Sequence, residues 1–299
     1  METPRPLAPD ASLKHGRVRS ETLRNLSNLP PFHPTALRLL TISIDSDSAM
    51  PRFEQCFSSD PALAADLLVL ANSAEFGLRS RIDTIRHAVV VLGLERVRSL
   101  ACSIAMRSYI GTTSRQRDLQ PVWSHSVAAA LIADKLGESA RSAGKLLYTA
   151  ALMHDVGRLG MLLGPGRKYA EMLAELVHDV QEGVAQEMAR FGMSHCEAGA
   201  VLARKWGLPA SLQECISLHH DPVTAERGEL LHLTQIACRL ADSLGFGEVP
   251  HDTAHGAGSA GFLLPEPLRS RPELAADRLT GLVTTQISAL WQQEPKTAK

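Results

Sequence analysis

The chain has 299 residues and a mass of 32.3 kDa, with 44% hydrophobic residues, 21% charged residues and a formal net charge of -1. This composition excludes a disordered, collagen-like or coiled-coil chain, and the length allows one large domain or two modest ones. The near-zero net charge argues against a dedicated nucleic-acid binder, because phosphate contacts need an excess of Lys and Arg. Aromatic residues make up only 4% of the chain, while Leu and Ala supply more than a quarter, a bias that favours helix over sheet.

The cysteine pattern and the hydropathy both indicate the cytoplasm. The five cysteines are scattered and form no CxxC pair, which is typical of reduced thiols. No apolar run approaches the roughly 20 residues that span a bilayer. The first residues also lack the apolar stretch of a signal peptide. We therefore expect a cytoplasmic protein without a membrane partner.

The N-terminal part of the chain predicts a tail followed by a helical lobe. Residues 1–22 contain prolines and no hydrophobic periodicity, so we predict a flexible tail there. Asp60 followed by Pro61 predicts an N-cap and the start of a helix that ends near Gly77. Further helices are predicted over 34–43, 50–58, 82–92 and 94–109. Together these helices form a first lobe over 23–110.

The rest of the chain continues the helical pattern. The polar segment 111–121 is interpreted as a joint between two lobes. The second lobe, 115–245, has helical patterns over 123–136, 143–153, 169–177, 182–191, 198–206, 212–219 and 229–244. Residues 246–299 are assigned to a Gly-, Pro- and Ser-rich loop (250–272) and a last helix (273–292). No strand pattern of useful length occurs, so we predict an all-α bundle of two lobes.

The glycines and tryptophans of the second lobe receive structural interpretations. Gly157, Gly160, Gly164 and Gly166 are interpreted as punctuation at helix ends, because no GxxxxGK[ST] phosphate loop is present. Trp123 and Trp206 are predicted to fill the core.

In the first lobe, five arginines between positions 79 and 98 are interpreted as a solvated face, with a site for an acidic partner or a nucleotide as the alternative.

An ordered series of imidazoles and carboxylates runs through the second lobe. Its seven members are His125, His154, Asp155, His195, His219, His220 and Asp242. Helical hairpins bring such positions back to one level of a bundle, so we expect the side chains to converge. Imidazole and carboxylate together suit one or two divalent transition-metal ions, such as Fe, Mn or Zn. A single histidine on an apolar helix is more often a hydrogen-bonded core residue, so the prediction depends on the whole set.

Three neighbouring features are excluded from this candidate site. His178 and Asp179 repeat the His-Asp dipeptide but lie at a helix end. His232 lies on the same predicted helix as Asp242, but about 15 Å away along the helix axis. Cys196 is interpreted as a buried structural thiol rather than a soft metal ligand.

Several stretches, in this order, resemble the HDOD family, the HD-related output domains of the HD-domain metal phosphohydrolase superfamily. They are LPPFHPTALRLL, SSDPALAADLLVLANSAEFGL, RIDTIRHAVVVLGLERVRSL, ALMHDVGRLG and HCEAGAVLARKWGLPASLQECISLHH. The resemblance covers residues 23–245 and implies a compact, all-helical bacterial module for signal transduction or regulation. It also implies a signalling protein as the partner, and such modules are often described without catalytic activity.

The resemblance further implies a ligand set. His154 and Asp155 match the dipeptide that names the HD superfamily, and the other five members fall where the related HD-GYP phosphodiesterases hold metal. This implies a one- or two-metal centre, bridged by Asp155, that activates water for attack on a nucleotide or cyclic dinucleotide. If the protein is hydrolytic, Asp155 and Arg158 are the catalytic residues. Arg158 stands where a Lys is typical, and it can hold a phosphate bidentately.

Two functions therefore remain open. Against hydrolysis, the GYP motif is absent after His220, where the chain continues Asp221-Pro222-Val223, and Pro121 replaces an acidic residue of some relatives. The Lys-to-Arg change at Arg158 is a third departure. We favour a non-catalytic output module that binds a signalling partner, with any metal stapling the second lobe. The alternative is a metal-dependent phosphohydrolase acting on a nucleotide or cyclic dinucleotide.

Overall fold

A computed structural model describes residues 11–73, 80–111, 116–140, 146–175, 180–222, 228–247, 264–266 and 268–292. All regular structure in these segments is helical, which confirms the predicted all-α class. No helix among these residues combines the length and the apolar character that a membrane crossing requires.

The N-terminal half contains six helices among the described residues. They are α1 (Ala11–Ser27), α2 (Pro34–Leu40), α3 (Ala49–Ser58), α4 (Pro61–Ala71), α5 (Ile85–Leu92) and α6 (Leu94–Gly111). Asp60 caps α4 as predicted, because its Oδ1 accepts the Leu63 N–H at 3.1 Å. The helix ends at Ala71, since the Asn72 amide then bonds both backbone groups of Ile82, each at 2.7 Å. The predicted end at Gly77 lies outside the described residues.

The second half begins with the long helix α7 and ends with α15. Its helices are α7 (Gln116–Ala140), α8 (Leu147–Met153), α9 (Val156–Leu163), α10 (Arg167–Glu175), α11 (Val180–Phe191), α12 (His195–Lys205), α13 (Ala210–Leu218), α14 (Glu229–Ser243) and α15 (Ala276–Gln292). Two short 3-10 helices precede α15: Leu268–Ser270 lies within the region predicted as a loop, and Pro272–Leu274 spans the predicted boundary between that loop and the last helix. The final helix agrees with the prediction, and it packs along α7.

Residues 11–22 correct the prediction of a flexible N-terminal tail. They form most of α1, which packs on α11 and α12 of the second lobe. The buried Thr22 hydroxyl donates to the Phe191 carbonyl at 2.9 Å, and the Arg19 guanidinium donates to Gly192 O at 2.7 Å. These partners lie about 170 positions away in sequence, so no local pattern of the tail revealed them.

The joint predicted over 111–121 is shorter in the structure. Helix α7 starts at Gln116 and includes Pro121, while 112–115 lie outside the described residues. Pro121 lies near the start of the helix, where the missing N–H costs a single hydrogen bond. The joint is therefore confined to the few residues between α6 and α7.

Helix α9 was not predicted, because its glycines were assigned to helix ends. Gly157 and Gly160 lie inside α9 and face α12 and α1, whereas Gly164 does cap the helix end. A Cβ on Gly157 would lie 1.8 Å from the His195 carbonyl oxygen and 2.7 Å from the Gly199 backbone nitrogen, both on α12. The glycines therefore permit α9 and α12 to pack backbone against backbone.

One continuous hydrophobic core runs through both lobes. Trp123 and Trp206 are buried within it, as predicted. The Trp206 ring packs against Phe32 and Tyr109, with ring centroids 5.5 and 5.7 Å apart, and so joins the second lobe to the first. Helix α7 packs along α8 and α14, and α9 packs along α12. This packing brings the helices that carry the predicted ligands together.

Candidate metal centre

Helix ends position most of the candidate ligands. His154 follows the last residue of α8 and Asp155 precedes the first residue of α9, so the dipeptide occupies the corner between the two helices. His195 is the first residue of α12, which Ser194 caps by accepting the Glu197 N–H at 3.2 Å. His219 follows the last residue of α13. His125 projects from the middle of α7.

Five of the seven predicted side chains meet in the interior of the second lobe. His125, His154, Asp155, His195 and His219 are each only 1% exposed. His220 is partly exposed, but its ring centroid lies 4.9 Å from that of His195. The side chains form three groups, and within each group the ligand atoms all lie within 4.8 Å of one another. The groups are His125, His154 and Cys238; His195, His219 and His220; and His154, Asp155 and His219. The predicted convergence is therefore present among the described residues.

The imidazoles form two close pairs. The Nε2 atoms of His125 and His154 are 3.1 Å apart, and those of His195 and His219 are 3.3 Å apart. Two nitrogen ligands of one ion, each about 2.0–2.1 Å from it, are about 2.9–3.4 Å apart for bond angles of 90–109°. Both pairs therefore have the spacing of neighbouring ligands on one ion.

The other nitrogen of each ring has an acceptor that fixes the tautomer. His154 Nδ1 faces the Ala151 carbonyl at 2.5 Å and His219 Nδ1 faces the Ile216 carbonyl at 3.0 Å, the same arrangement at the ends of α8 and α13. His125 Nδ1 faces the Phe246 carbonyl at 3.1 Å. When Nδ1 donates, Nε2 carries the lone pair.

A carboxylate fixes the fourth ring. Glu187 accepts from His195 Nδ1 at 2.7 Å and from its backbone N–H at 2.8 Å. Within each pair of imidazoles, the lone pairs of the two Nε2 atoms then point at each other. Facing lone pairs repel unless a cation, either a proton or a metal ion, lies between them. The donor set fits a metal ion.

Asp155 lies between the two imidazole pairs. Its Oδ1 is 3.5 Å from His195 Nε2 and 3.7 Å from His219 Nε2. Among the described residues, neither carboxylate oxygen has a hydrogen-bond partner, although the side chain is buried. A buried carboxylate without hydrogen bonds is costly, and a divalent ion would satisfy both oxygens.

The electrostatics of the centre follow from burial and from its own charges. Burial lowers the pKa of His154 and of His220 well below the ordinary value. Burial and the Arg158 cation also act to lower the pKa of His195, but Cys196, Glu187 and Asp155 outweigh them and raise it to about 10. Burial raises the pKa of Asp155, yet His195 and Arg158 outweigh it, so the net direction is downward. Asp155 is therefore ionised and ready to bind a cation.

Asp242 and Arg158 contact other members of the centre. Asp242 Oδ1 lies 3.2 Å from His125 Nδ1, the ring nitrogen that points away from His154, so the carboxylate orients the ring. The Arg158 guanidinium is 3% exposed. It lies 3.4 Å from Asp155 and 3.2 Å from Glu187. Arg158 therefore holds the two carboxylates in place, and its expected contact with a phosphate stays a prediction.

Sequence reasoning missed two members of the centre. Glu187 lies on α11, eight residues before His195, and no spacing rule connects a helix interior to the next helix start. Cys238 lies one turn before Asp242 on α14, and its Sγ lies 3.6 Å from His125 Nε2. Cys196, interpreted as a structural thiol, lies 3.5 Å from His195 Nε2 and is only partly buried. For Cys238, its place one turn from the predicted ligand Asp242 was the signal available.

One of the excluded features, His232, stays outside the centre. His232 belongs to none of the ligand groups found among the described residues. His178 and Asp179 lie outside the described residues.

Fold and site together define an all-helical protein with a buried cluster of His and Asp side chains that could hold a metal ion. The HDOD domain family matches residues 29–222, nearly two thirds of the chain. The chain therefore belongs to the HDOD family, as its sequence motifs indicated.

Individual proteins share the fold or part of the sequence. An HDOD domain protein of unknown function from Geobacter sulfurreducens superposes with a TM-score of 0.70 at 24% identity, over 95% of this chain and 96% of its own. A candidate signal transduction protein from Marinobacter aquaeolei has a TM-score of 0.61 at 19% identity, over 95% of this chain and 69% of its own. An uncharacterised protein of Treponema pallidum is 25% identical over 234 residues, 76% of this chain and 44% of its own length. The chain spans less than half the length of the curated relatives it matches.

Proposed function

We propose that this chain is a regulatory HDOD module of bacterial signal transduction, whose second lobe is stapled by a buried divalent ion and whose helical surfaces bind a signalling protein. One observation carries the metal part of the proposal. Four imidazoles have their Nδ1 atoms engaged and their Nε2 atoms turned towards one another, around an Asp155 carboxylate that accepts no hydrogen bond from a described residue. Fe, Mn and Zn all suit imidazole and carboxylate ligands.

The burial of the centre favours a regulatory role over catalysis. A catalytic ion keeps an open position for water and substrate, whereas a structural ion is enclosed by protein ligands. Here His125, His154, Asp155, His195 and His219 are each only 1% exposed. A phosphodiester would need a rearrangement of the lobe to reach Asp155. The enclosed geometry therefore supports a metal ion that stabilises the module. The cysteine pattern favours the cytoplasm as its compartment.

The family and its members support the signalling part. HDOD resemblance implies output modules that act through protein partners, and one structural neighbour is a candidate signal transduction protein. The partner is a proposal that needs its own measurement. Affinity capture with the metal-loaded full chain should retain a partner that the chelator-stripped chain does not.

The metal part is tested by elemental analysis and by unfolding. The purified full chain should contain close to one or two equivalents of Fe, Mn or Zn. Chelation should lower the melting temperature by several degrees, because an ion bound only by the folded state stabilises it by mass action. Asp155→Asn should lose the metal, and Asp66→Asn, an exposed site on α4, should keep it. A metal-free protein with an unchanged melting curve in EDTA would refute the proposal.

The second candidate is a metal-dependent phosphohydrolase acting on a nucleotide or cyclic dinucleotide. The observation in its favour is that Asp155 lies between two groups of imidazoles, where its two oxygens suit a pair of ions. In that case Asp155 takes part in the reaction, and Arg158 is the residue that positions it. Turnover of a cyclic dinucleotide with Mn or Fe, abolished in Asp155→Ala, would establish this function. Metal without turnover would leave the regulatory role.

A further inference from the structure

We propose that Cys238 is a thiolate ligand of the ion held by His125 and His154, in the place that the family resemblance gives to Asp242. The inference rests on the proposed function, because it names an additional ligand of the same centre. It changes the chemistry of that centre from nitrogen and oxygen ligands to a mixed set that includes sulfur.

The position of Cys238 carries the first step. The side chain lies on α14, is 2% exposed, and places Sγ 3.6 Å from His125 Nε2. The ligand atoms of Cys238, His125 and His154 all lie within 4.8 Å of one another. For a tetrahedral ion with a metal–sulfur bond of about 2.3 Å and a metal–nitrogen bond of about 2.0–2.1 Å, the sulfur and nitrogen are about 3.6 Å apart. The observed separation has this value.

The position of Asp242 carries the second step. Asp242 follows Cys238 by one helical turn, so both reach towards His125 from the same face of α14. The carboxylate contacts His125 Nδ1 at 3.2 Å and its side chain is 23% exposed. A carboxylate that accepts from the outer nitrogen of a metal-binding imidazole fixes its tautomer and orientation. Asp242 is thus a positioning residue, which leaves the ligand position to Cys238.

Charge balance carries the third step. A divalent ion in a buried site is stable when two negative ligands neutralise it. His154 belongs both to the group with His125 and Cys238 and to a second group that contains Asp155. The Asp155 carboxylate supplies one negative charge. Cys238 supplies the other: its S–H bond breaks, the proton leaves to solvent, and the sulfur lone pair forms the bond to the ion. Two neutral imidazoles complete the set.

A sulfur ligand alters the preference of the centre. Thiolate favours Zn or Fe(II) over Mn or Mg, which prefer oxygen. Zn binds more tightly than Mn at most nitrogen and oxygen sites too, so the informative comparison is with Cys238→Ser. Under reducing conditions, the ratio of Zn affinity to Mn affinity of the chelator-stripped full chain should fall at least tenfold in this variant.

Cobalt(II) provides the direct probe, because a cobalt–thiolate bond gives an intense near-ultraviolet charge-transfer band that nitrogen and oxygen ligands do not give. One equivalent of Co(II) added to the stripped, reduced full chain should produce this band together with visible ligand-field bands. Cys238→Ser should lose the charge-transfer band and keep the visible bands. Cys215→Ser, a buried thiol outside the ligand groups of the described residues, should retain both.

The outcomes separate this inference from the proposed function. Visible cobalt bands without the charge-transfer band in the wild-type chain would overturn the thiolate ligand alone. Loss of the band in Cys196→Ser, with retention in Cys238→Ser, would do the same. Absence of any cobalt absorption would overturn both proposals.

A measurement on the unaltered chain covers the case in which Cys238→Ser fails to fold. X-ray absorption of the zinc-loaded wild-type protein should reveal a sulfur neighbour about 2.3 Å from zinc, besides nitrogen and oxygen at about 2.0–2.2 Å. A coordination shell of nitrogen and oxygen alone would overturn the inference.

Discussion

Glu187 binds His195 twice, through the backbone N–H at 2.8 Å and through Nδ1 at 2.7 Å. The same carboxylate accepts from the Tyr169 hydroxyl at 2.6 Å and from Arg158 at 3.2 Å. Four donors thus hold one buried carboxylate, and the carboxylate in turn fixes the direction of His195 Nε2. The position of this imidazole is therefore set by a residue that does not touch the predicted ion.

Substitution Glu187→Gln should weaken metal binding. The amide keeps the shape of the side chain but loses the charge that holds Nδ1–H, so the His195 ring is less well oriented. Loss of such a supporting partner costs about 10–100-fold in metal affinity. The affinity can be measured by competition with a chromophoric chelator. Glu182→Gln, an exposed change on the same helix α11, should leave the affinity unchanged; equal affinities of the two variants would contradict the orienting role.

The same pair should make the stability of the stripped protein depend on pH. The pKa of His195 is raised to about 10 in the folded protein. The protonated imidazole therefore contributes fully to the unfolding free energy at a pH below its ordinary pKa, and this contribution is lost as the pH rises through the raised pKa. The pKa of Glu187 is lowered to about 2, because His195 and Arg158 outweigh the effect of burial. The Glu187 carboxylate therefore contributes to the unfolding free energy at a pH above its ordinary pKa, and this contribution is lost as the pH falls through the lowered pKa. Both contributions are therefore full from about pH 4.5 to 6.5.

The measurement is urea unfolding in EDTA for wild type and Glu187→Gln. The difference in unfolding free energy should be about 3 kcal/mol near pH 5.5, as expected when one member of a buried ion pair is removed. It should shrink towards about pH 9, where His195 loses its proton in part of the folded molecules. Comparison with the variant cancels the opposite effect of His154 and His220, whose pKa values burial lowers. A difference that grows with pH would exclude the assigned charge states.

The sequence allowed prediction of the fold class and of the convergence of side chains that come from helix ends. Asp60 and Pro61 signal the start of α4 locally, and the helical periodicity places most helices within a few residues of their observed bounds. The His154-Asp155 dipeptide and the later histidines could be recognised because each lies where a helix begins or ends.

The parts that escaped prediction depend on contacts between distant segments. Helix α1 is held by Phe191 and Gly192, and its own sequence does not contain that information. The same holds for Asp242 and Cys238, which share a face of α14. Only the rotation of that helix against α7 decides which of them approaches His125 Nε2. The burial of Arg158 against Glu187 escaped prediction for the same reason, since it is a tertiary contact.

The contact between α9 and α12 leads to a stability prediction. In a helix interior, replacing Gly by Ala normally stabilises by up to about 1 kcal/mol. Gly281→Ala in α15 should follow this rule, because nothing lies within 4 Å of the added Cβ. Gly157→Ala should instead destabilise by about 3 kcal/mol and impair metal binding, because its Cβ would meet the His195 carbonyl. Urea unfolding of the two variants decides, and similar stabilities would refute the close approach of the helices.

The first lobe is tied to the metal centre through Glu95 and Arg98 of α6. Arg98 was interpreted as part of a solvated face, but its side chain is 3% exposed, pairs with Glu95 and donates to the Ile42 carbonyl at 3.1 Å. Glu95 also accepts the N–H of Leu146 at 3.0 Å. Leu146 has φ of 75°, a left-handed conformation that is rare for leucine, and it directly precedes α8. Glu95 therefore stabilises the start of the short helix that ends at His154.

Substitution Glu95→Ala should destabilise the protein by about 2–3 kcal/mol, because it leaves Arg98 buried without its carboxylate and frees the Leu146 N–H. The exposed pair of Lys135 and Glu138 provides the control, and Glu138→Ala should cost at most about 0.5 kcal/mol. Since α8 carries His154, Glu95→Ala should also lower metal affinity, although Glu95 belongs to the first lobe. Urea unfolding and chelator competition on both variants test the two effects separately. A stability loss with unchanged affinity would mean that α8 keeps its position without Glu95, and that the two lobes act independently.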